Sequence, residues 1–100
     1  MKVEHAQCGE VLINDAKVKT VVFSLPHASL IIAAAPSGFV MCGYLDIAAA
    51  EKIGDAACVV GGVKTVDELL NKPVVKLTKQ ARELGITTGM SGRDALRHMF

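Results

Sequence analysis

Cys42 is the residue of this chain best suited to covalent chemistry. It is the only nucleophile in an apolar segment, residues 38–46, that reads Gly-Phe-Val-Met-Cys-Gly-Tyr-Leu-Asp. If a strand ends at Cys42 and a helix capped by Asp46 begins close by, the exposed helix amides would favour the reactive thiolate. The alternative is that Cys42 is a small buried hydrophobic residue, and the negative charge of Asp46 would itself offset the helix dipole. Both interpretations stay open on the sequence alone.

His27 is the candidate catalytic partner of Cys42. It precedes a predicted third strand, whereas Cys42 ends a predicted fourth strand. A tight hairpin between these strands would bring both residues to one end of the sheet, where the imidazole could act as a base for the thiol. The alternative is a solvated loop histidine. Cys58, between Ala57 and Val59, is predicted to be core.

Gly43 and Tyr44 are candidate ligand-binding residues at the same strand end. Tyr44 is the only tyrosine in the chain, and beside a glycine its ring could line a pocket with the hydroxyl free. The alternative is an amphipathic residue at the rim of the sheet or in an assembly contact.

Ser91 and Arg93 form a second candidate site, for a small anion. They lie in a segment, residues 89–93, with two glycines around a helix N-cap. Such a segment can present backbone amides and a guanidinium to a carboxylate or phosphate. The alternative is a tight turn and a capped helix with Arg93 in solvent. A similar segment, residues 61–65, lacks the spacing of a P-loop.

The composition excludes several classes of partner. Eleven basic and ten acidic residues give a net charge of +1, which argues against nucleic acid and anionic membranes. Residues 20–45 contain no charged side chain, but Pro26 and Pro36 cut them into pieces too short to span a bilayer. The histidines and cysteines show no metal-ligand spacing, so no metal site is predicted, and no cofactor is identified.

The cysteine content indicates a reducing compartment. Three cysteines without a CxxC pair suggest neither a disulfide framework nor a zinc site, which fits the cytoplasm. Residues 1–5 lead into mixed polar sequence, so we expect no secretory signal.

The first half of the chain predicts β structure within one domain, residues 1–100. Apolar runs separated by turn residues predict four antiparallel strands in a meander, at residues 10–13, 17–25, 29–35 and 39–42. Asn14 and Asp15 tolerate left-handed backbone and predict a hairpin turn. A helix over residues 47–53 is predicted between the N-cap Asp46 and Gly54, and a fifth strand over residues 56–60.

The second half predicts helices. Residues 65–68 match a capping box that begins one helix. Pro73 suits the first turn of a second helix, which ends at Gly85 and whose apolar residues recur at near-helical spacing: Val74, Leu77, Ala81 and Leu84. Ser91 is predicted to cap a last helix. The order of strands and helices indicates the α+β class, with the helices packed on the sheet.

Several motifs together resemble the YunC-like family of small bacterial and archaeal proteins, which contain a domain of unknown function. The resemblance rests on residues 25–26 before an apolar strand and on residues 38–46, 62–65, 81–86 and 89–96. It implies an α+β fold and an N-terminal β region that mediates tetramerisation, and it brings no established activity. The small aliphatic core, with only 4% aromatic residues, also favours help from a partner subunit.

Two classes of function follow from these observations. The first is an enzyme or binding protein with a site at the strand end formed by Cys42, Gly43 and Tyr44. That site would be completed by a neighbouring subunit and by Arg93. The second is an assembly or regulatory module without a ligand site, in which the glycines allow close packing.

Overall fold

The computed structural model describes residues 6–100, and it confirms the α+β class. The expectation about a secretory signal falls on residues 1–5, which lie outside the described residues. The elements, in chain order, are β1 Ala6–Ile13, β2 Ala16–Ser24, β3 Ser29–Ala35, β4 Gly38–Met41, α1 Ile47–Ile53, β5 Ala57–Val59, α2 Val66–Asn71, β6 Lys76–Leu77, α3 Lys79–Glu83 and α4 Gly92–Arg97. None of the helices in this range is both long and apolar enough to cross a membrane.

The strands of residues 6–100 form one mixed sheet in the order β1-β2-β3-β4-β5-β6. Strands β1 to β4 pair antiparallel as the predicted meander, β5 pairs parallel with β4, and β6 pairs antiparallel with β5. The hairpin between β1 and β2 turns at Asn14 and Asp15, whose φ angles are 54° and 64°. These left-handed conformations suit the right-handed twist of a two-residue hairpin. The predicted turn is therefore confirmed.

The helices lie on opposite faces of the sheet. We call the face covered by α2 and α4 the inner face, and its main core includes Val40 and Cys58 of the sheet. Helix α1 packs on the other, outer face, where a smaller core contains Met41 and Val59 together with Ala50 of the helix. Because α1 connects the parallel strands β4 and β5, these three elements form a crossover unit.

The prediction of a helix that begins at Pro73 is wrong. Pro73 bridges Ser91, and the chain then runs extended through β6 until Thr78 caps α3. The amide of Val75 donates to the carbonyl of Val59 at 2.8 Å, and the amide of Val74 donates to Met90 at 2.7 Å. These long-range hydrogen bonds satisfy the backbone in an extended form. The near-helical spacing of apolar residues was therefore coincidental over residues 74–77.

Candidate functional site

Cys42 follows directly after β4, where the strand pair β3–β4 holds it. Its amide donates to the carbonyl of Ile31 at 3.0 Å, and its sulfur accepts a hydrogen bond from the amide of Ile31 at 3.3 Å. The residue is only 3% exposed and contributes to the inner core. Cys42 is thus a buried residue at the end of a strand.

A cavity of about 300 Å³ lies against this strand end. One wall consists of Cys42 with Gly43 and Tyr44, which follow β4. A second wall consists of Gly62 and Val63, which follow β5. The third wall is formed where β3 begins, by Ala28 and Ser29. Cys42 is therefore buried in the core and also lines an open space.

The position of the cavity follows from the topology of the parallel strand pair. The chain leaves β4 toward α1 on the outer face, whereas it leaves β5 toward α2 on the inner face. When two adjacent parallel strands continue to opposite faces, a crevice opens between their carboxyl ends, and ligands of open α/β sheets bind at such a point. The same geometry places this cavity beyond the ends of β4 and β5.

His27 lies in the loop between β2 and β3, at the same end of the sheet as Cys42. The register that pairs Ile32 with Met41 places the start of β3 beside the residues after β4. The neighbouring Ala28 lines the cavity, but His27 itself is exposed and is not part of the lining. The loop thus borders the cavity, and a Cys-His pair stays a prediction.

Ser91 and Arg93 are not among the residues that line the cavity. The hydroxyl of Ser91 accepts a hydrogen bond from the amide of Asp94 at 3.1 Å, as predicted for the N-cap of α4. The amides of both glycines in this segment also donate to protein carbonyls, Gly89 to Val74 and Gly92 to Lys72. An anion site at Ser91 and Arg93 stays a prediction separate from the cavity.

A pair of opposite charges lies beside the second wall of the cavity. The ammonium of Lys72 donates to the carbonyl of Gly62 at 2.7 Å and lies 3.4 Å from a carboxylate oxygen of Glu68. The other carboxylate oxygen accepts a hydrogen bond from the amide of Lys64 at 2.8 Å. The hydrogen bond from Lys64, and then the contact with Lys72, hold the pKa of Glu68 below its ordinary value. Glu68 therefore stays ionised at neutral pH and supplies a negative charge beside the ammonium of Lys72.

Comparison with known proteins identifies the family of this chain. The model of a family described as a domain of unknown function, DUF1805, matches residues 41–99. The chain belongs to the DUF1805 family. It is also 39% identical, over 94 residues, to the uncharacterized protein YunC of Bacillus subtilis, with 90% of this chain and 93% of the relative covered. The resemblance to YunC-like proteins is thereby confirmed.

A solved structure shares the fold of this DUF1805 chain. The crystal structure of a protein of unknown function from Thermoplasma acidophilum matches with a TM-score of 0.90 and 30% sequence identity. The match covers 95% of this chain and 93% of the other. The DUF1805 region includes two walls of the cavity, after β4 and after β5, whereas the wall at Ala28 and Ser29 precedes it.

Sequence reasoning missed four lining residues of this DUF1805 protein. Gly62 and Val63 were visible only as part of an imperfect phosphate-loop pattern, and Ala28 and Ser29 carried no chemical signal. A glycine pair after a strand that runs parallel to its neighbour would have been the useful signal for Gly62.

The other two cysteines have different environments. Cys58 is fully buried, which confirms it as a core residue, and this burial raises the pKa of its thiol to about 12. Cys8 on β1 is exposed, and all three cysteines are free thiols. The chain therefore has an exposed thiol at Cys8, a thiol beside the cavity at Cys42 and a fully buried thiol at Cys58.

Proposed function

We propose that this protein binds a small molecule in the cavity beyond the carboxyl ends of β4 and β5. Gly43 and Tyr44 are the ligand-contacting residues of the first wall, and Gly62 supplies backbone contacts from the second. The observation that supports this proposal is the position of the cavity, at the point where neighbouring parallel strands continue to opposite faces of the sheet. The volume of about 300 Å³ is at the lower end of the range for ligand pockets.

Cys42 is the proposed nucleophile of this site if the bound molecule is an electrophile. Cys42 lines the cavity, and its sulfur accepts a hydrogen bond from the amide of Ile31 that fixes its position. His27, in the adjoining loop, is the proposed base. In the absence of an electrophile, the same thiol serves as an apolar contact.

Thiol labelling of the native protein tests whether this cavity is open in solution. We expect iodoacetamide to modify Cys42 in the folded protein and Cys58 only on unfolding, as quantified for each residue by peptide mass spectrometry. Leucine at position 28 should partly fill the cavity. The substitution Ala28→Leu should therefore slow the labelling of Cys42 by on the order of tenfold and leave the labelling of Cys8 unchanged.

Labelling of Cys42 only on global unfolding, at the rate found for Cys58, would contradict an open binding site. N-acetylcysteine added to each sample provides the control for reagent activity, because Cys8 shares its face of β1 with Glu10 and Leu12 and would be covered in the assembly proposed below. Circular dichroism of Ala28→Leu controls for a change in fold.

A second proposed role is self-assembly, as a homo-oligomer and in particular a tetramer, through the N-terminal strands. Apolar side chains are exposed on the outer face of β1 and β2. Among them, the side chain of Leu12 is 63% exposed and that of Phe23 is 37% exposed. Glu10 on this face is the cross-strand partner of Lys19, so a copy related by a two-fold axis could pair opposite charges there. This exposed apolar face supports an assembly module as the alternative function.

A charge placed on this face should break the assembly. We expect Phe23→Glu to reduce the molar mass measured by light scattering from that of a tetramer to that of a smaller species, because burying an unpaired carboxylate costs several kcal/mol. Ile53→Glu is the matched control, since Ile53 is exposed at the end of α1. If Phe23→Glu, Ile53→Glu and the unchanged protein all had the same molar mass, assembly through β1 and β2 would be contradicted.

The proposed compartment is the cytoplasm. Three free thiols, one of them exposed at Cys8, are compatible with a reducing environment, whereas an oxidising compartment would favour their conversion to disulfides. Fractionation of cells that express the chain with a short epitope tag would test this location.

A further inference from the structure

We infer that the cavity selects an uncharged ligand, and that the ion pair between Lys72 and Glu68 sets this preference. The inference rests on the proposed function, because it concerns the ligand of the same cavity.

The lining of the cavity carries no formal charge among the described residues. Its surface is mostly apolar, and its polar side chains are the hydroxyls of Ser29 and Tyr44 and the thiol of Cys42. A carboxylate or phosphate that entered such a space would lose hydration without gaining a charged partner from the wall. A neutral molecule with one or two hydrogen-bonding groups would lose much less.

The ammonium of Lys72 is a cation beside the cavity that could otherwise attract an anion. It would lie 4.0 Å from a Cβ atom placed on Gly62, so it stands directly beside the second wall. Its protons are directed to the carbonyl of Gly62 and to the carboxylate of Glu68. An incoming anion would therefore have to compete with a carboxylate that is already in place.

Glu68 is held in this position independently of Lys72. One of its carboxylate oxygens accepts a hydrogen bond from the amide of Lys64, and the hydroxyl of Thr65 accepts one from the amide of Glu68. The hydroxyl of the N-cap Thr65 thus caps α2 as predicted, whereas the carboxylate reaches the amide of the residue before the N-cap, which is a variant of the capping box. The negative charge beside Lys72 is thus part of the helix cap, and it compensates the ammonium that contacts Gly62.

A pair of probes with the same shape and different charge tests this inference. Benzamide and benzoate both carry one planar polar group on one ring, and only benzoate is charged at neutral pH. We expect benzamide to bind more tightly, as measured by titration of the backbone amide resonances of Gly43 and Gly62 by NMR. The expected difference in dissociation constant is on the order of fivefold or more.

The substitution Glu68→Gln should remove the preference. Glutamine can still accept the hydrogen bond from the amide of Lys64 and so preserve this cap of α2. Lys72 would lose its compensating charge, and benzoate should bind on the order of fivefold more tightly than to the unchanged protein. Asp67→Asn is the matched control, because it removes the same charge from the same helix at an exposed position that does not contact Lys72 in the described structure.

The outcomes separate the inference from the proposed function. Equal or tighter binding of benzoate to the unchanged protein would overturn the inference and leave the cavity as a binding site. An equal effect of Glu68→Gln and Asp67→Asn would overturn the role of the ion pair. Binding of neither probe would overturn the inference, and protection of Cys42 from labelling in addition would overturn the proposed function.

Discussion

The substitution Gly92→Ala is expected to destabilise this protein by about 3 kcal/mol or more, at the upper end of the cost of overpacking a core. Gly92 is the first residue of α4, and a Cβ atom at this position would lie 2.0 Å from the carbonyl oxygen of Leu69. That oxygen belongs to the backbone of α2, so it cannot move aside as a flexible side chain would. Helices α2 and α4 would have to separate.

The separation would also disturb other contacts of α4. The amide of Gly92 donates to the carbonyl of Lys72 at 3.1 Å, and Leu96 further along the helix is fully buried. The better helix propensity of alanine, about 1 kcal/mol, is smaller than the loss expected from these contacts.

Urea unfolding followed by circular dichroism, at one fixed protein concentration, measures this effect. Gly61→Ala is the matched control, because no atom of residues 6–100, apart from its two neighbours in the chain, lies within 4 Å of a Cβ placed at Gly61. We expect the free energy of unfolding of this control to lie within about 1 kcal/mol of that of the unchanged protein. If Gly92→Ala retained full stability, the close packing of α2 against α4 would be refuted.

Gly92 also shows why the contact between α2 and α4 could not be predicted from the sequence. In the sequence it stands between the N-cap Ser91 and Arg93, and two glycines near a helix start are typical of an anion-binding segment. In the structure its amide already donates to a carbonyl, and the absence of a side chain permits the contact between two helices. The same residue type serves both purposes, and only the position of α2 distinguishes them.

Local signals predicted most of the fold correctly. Asn14 and Asp15 turn the first hairpin, and Asp46 and Gly54 bound α1, because each acts on backbone atoms within a few residues. The strands β1 to β4 follow from the apolar runs between such turns. These features require no knowledge of distant partners.

Features that depend on distant partners were less accessible to prediction. Cys42, Gly43 and Tyr44 were placed together because they are consecutive, whereas the walls at Ser29 and Gly62 depend on how β3, β4 and β5 pair. The start of α3 was misplaced for the same reason, since hydrogen bonds to β5 hold the preceding residues extended. The residue that sets this boundary is Thr78.

The substitution Thr78→Val is expected to destabilise the protein by roughly 3 kcal/mol, because it removes a buried hydroxyl with three hydrogen-bond partners. Thr78 is 1% exposed. Its hydroxyl accepts from the amides of Ala57 at 3.0 Å and Ala81 at 3.2 Å, and it donates to the carbonyl of Asp55 at 2.8 Å. Valine has nearly the same shape, so the variant isolates the loss of these hydrogen bonds from any change in volume.

Two further variants make the test specific. Thr65→Val removes an N-cap hydroxyl that is exposed and accepts one hydrogen bond, from the amide of Glu68, so water can replace it and the expected loss is only about 1 kcal/mol. Thr78→Ser retains the hydroxyl and should cost about 1 kcal/mol for the lost methyl group. Because the hydroxyl joins the start of β5 to the first turn of α3, its loss should expose both elements to solvent. Faster amide hydrogen exchange at Ala57 and Ala81 in Thr78→Val, without such a change in Thr65→Val, would identify Thr78 as the link between β5 and α3. Equal losses of stability in the two valine variants would contradict this role of Thr78.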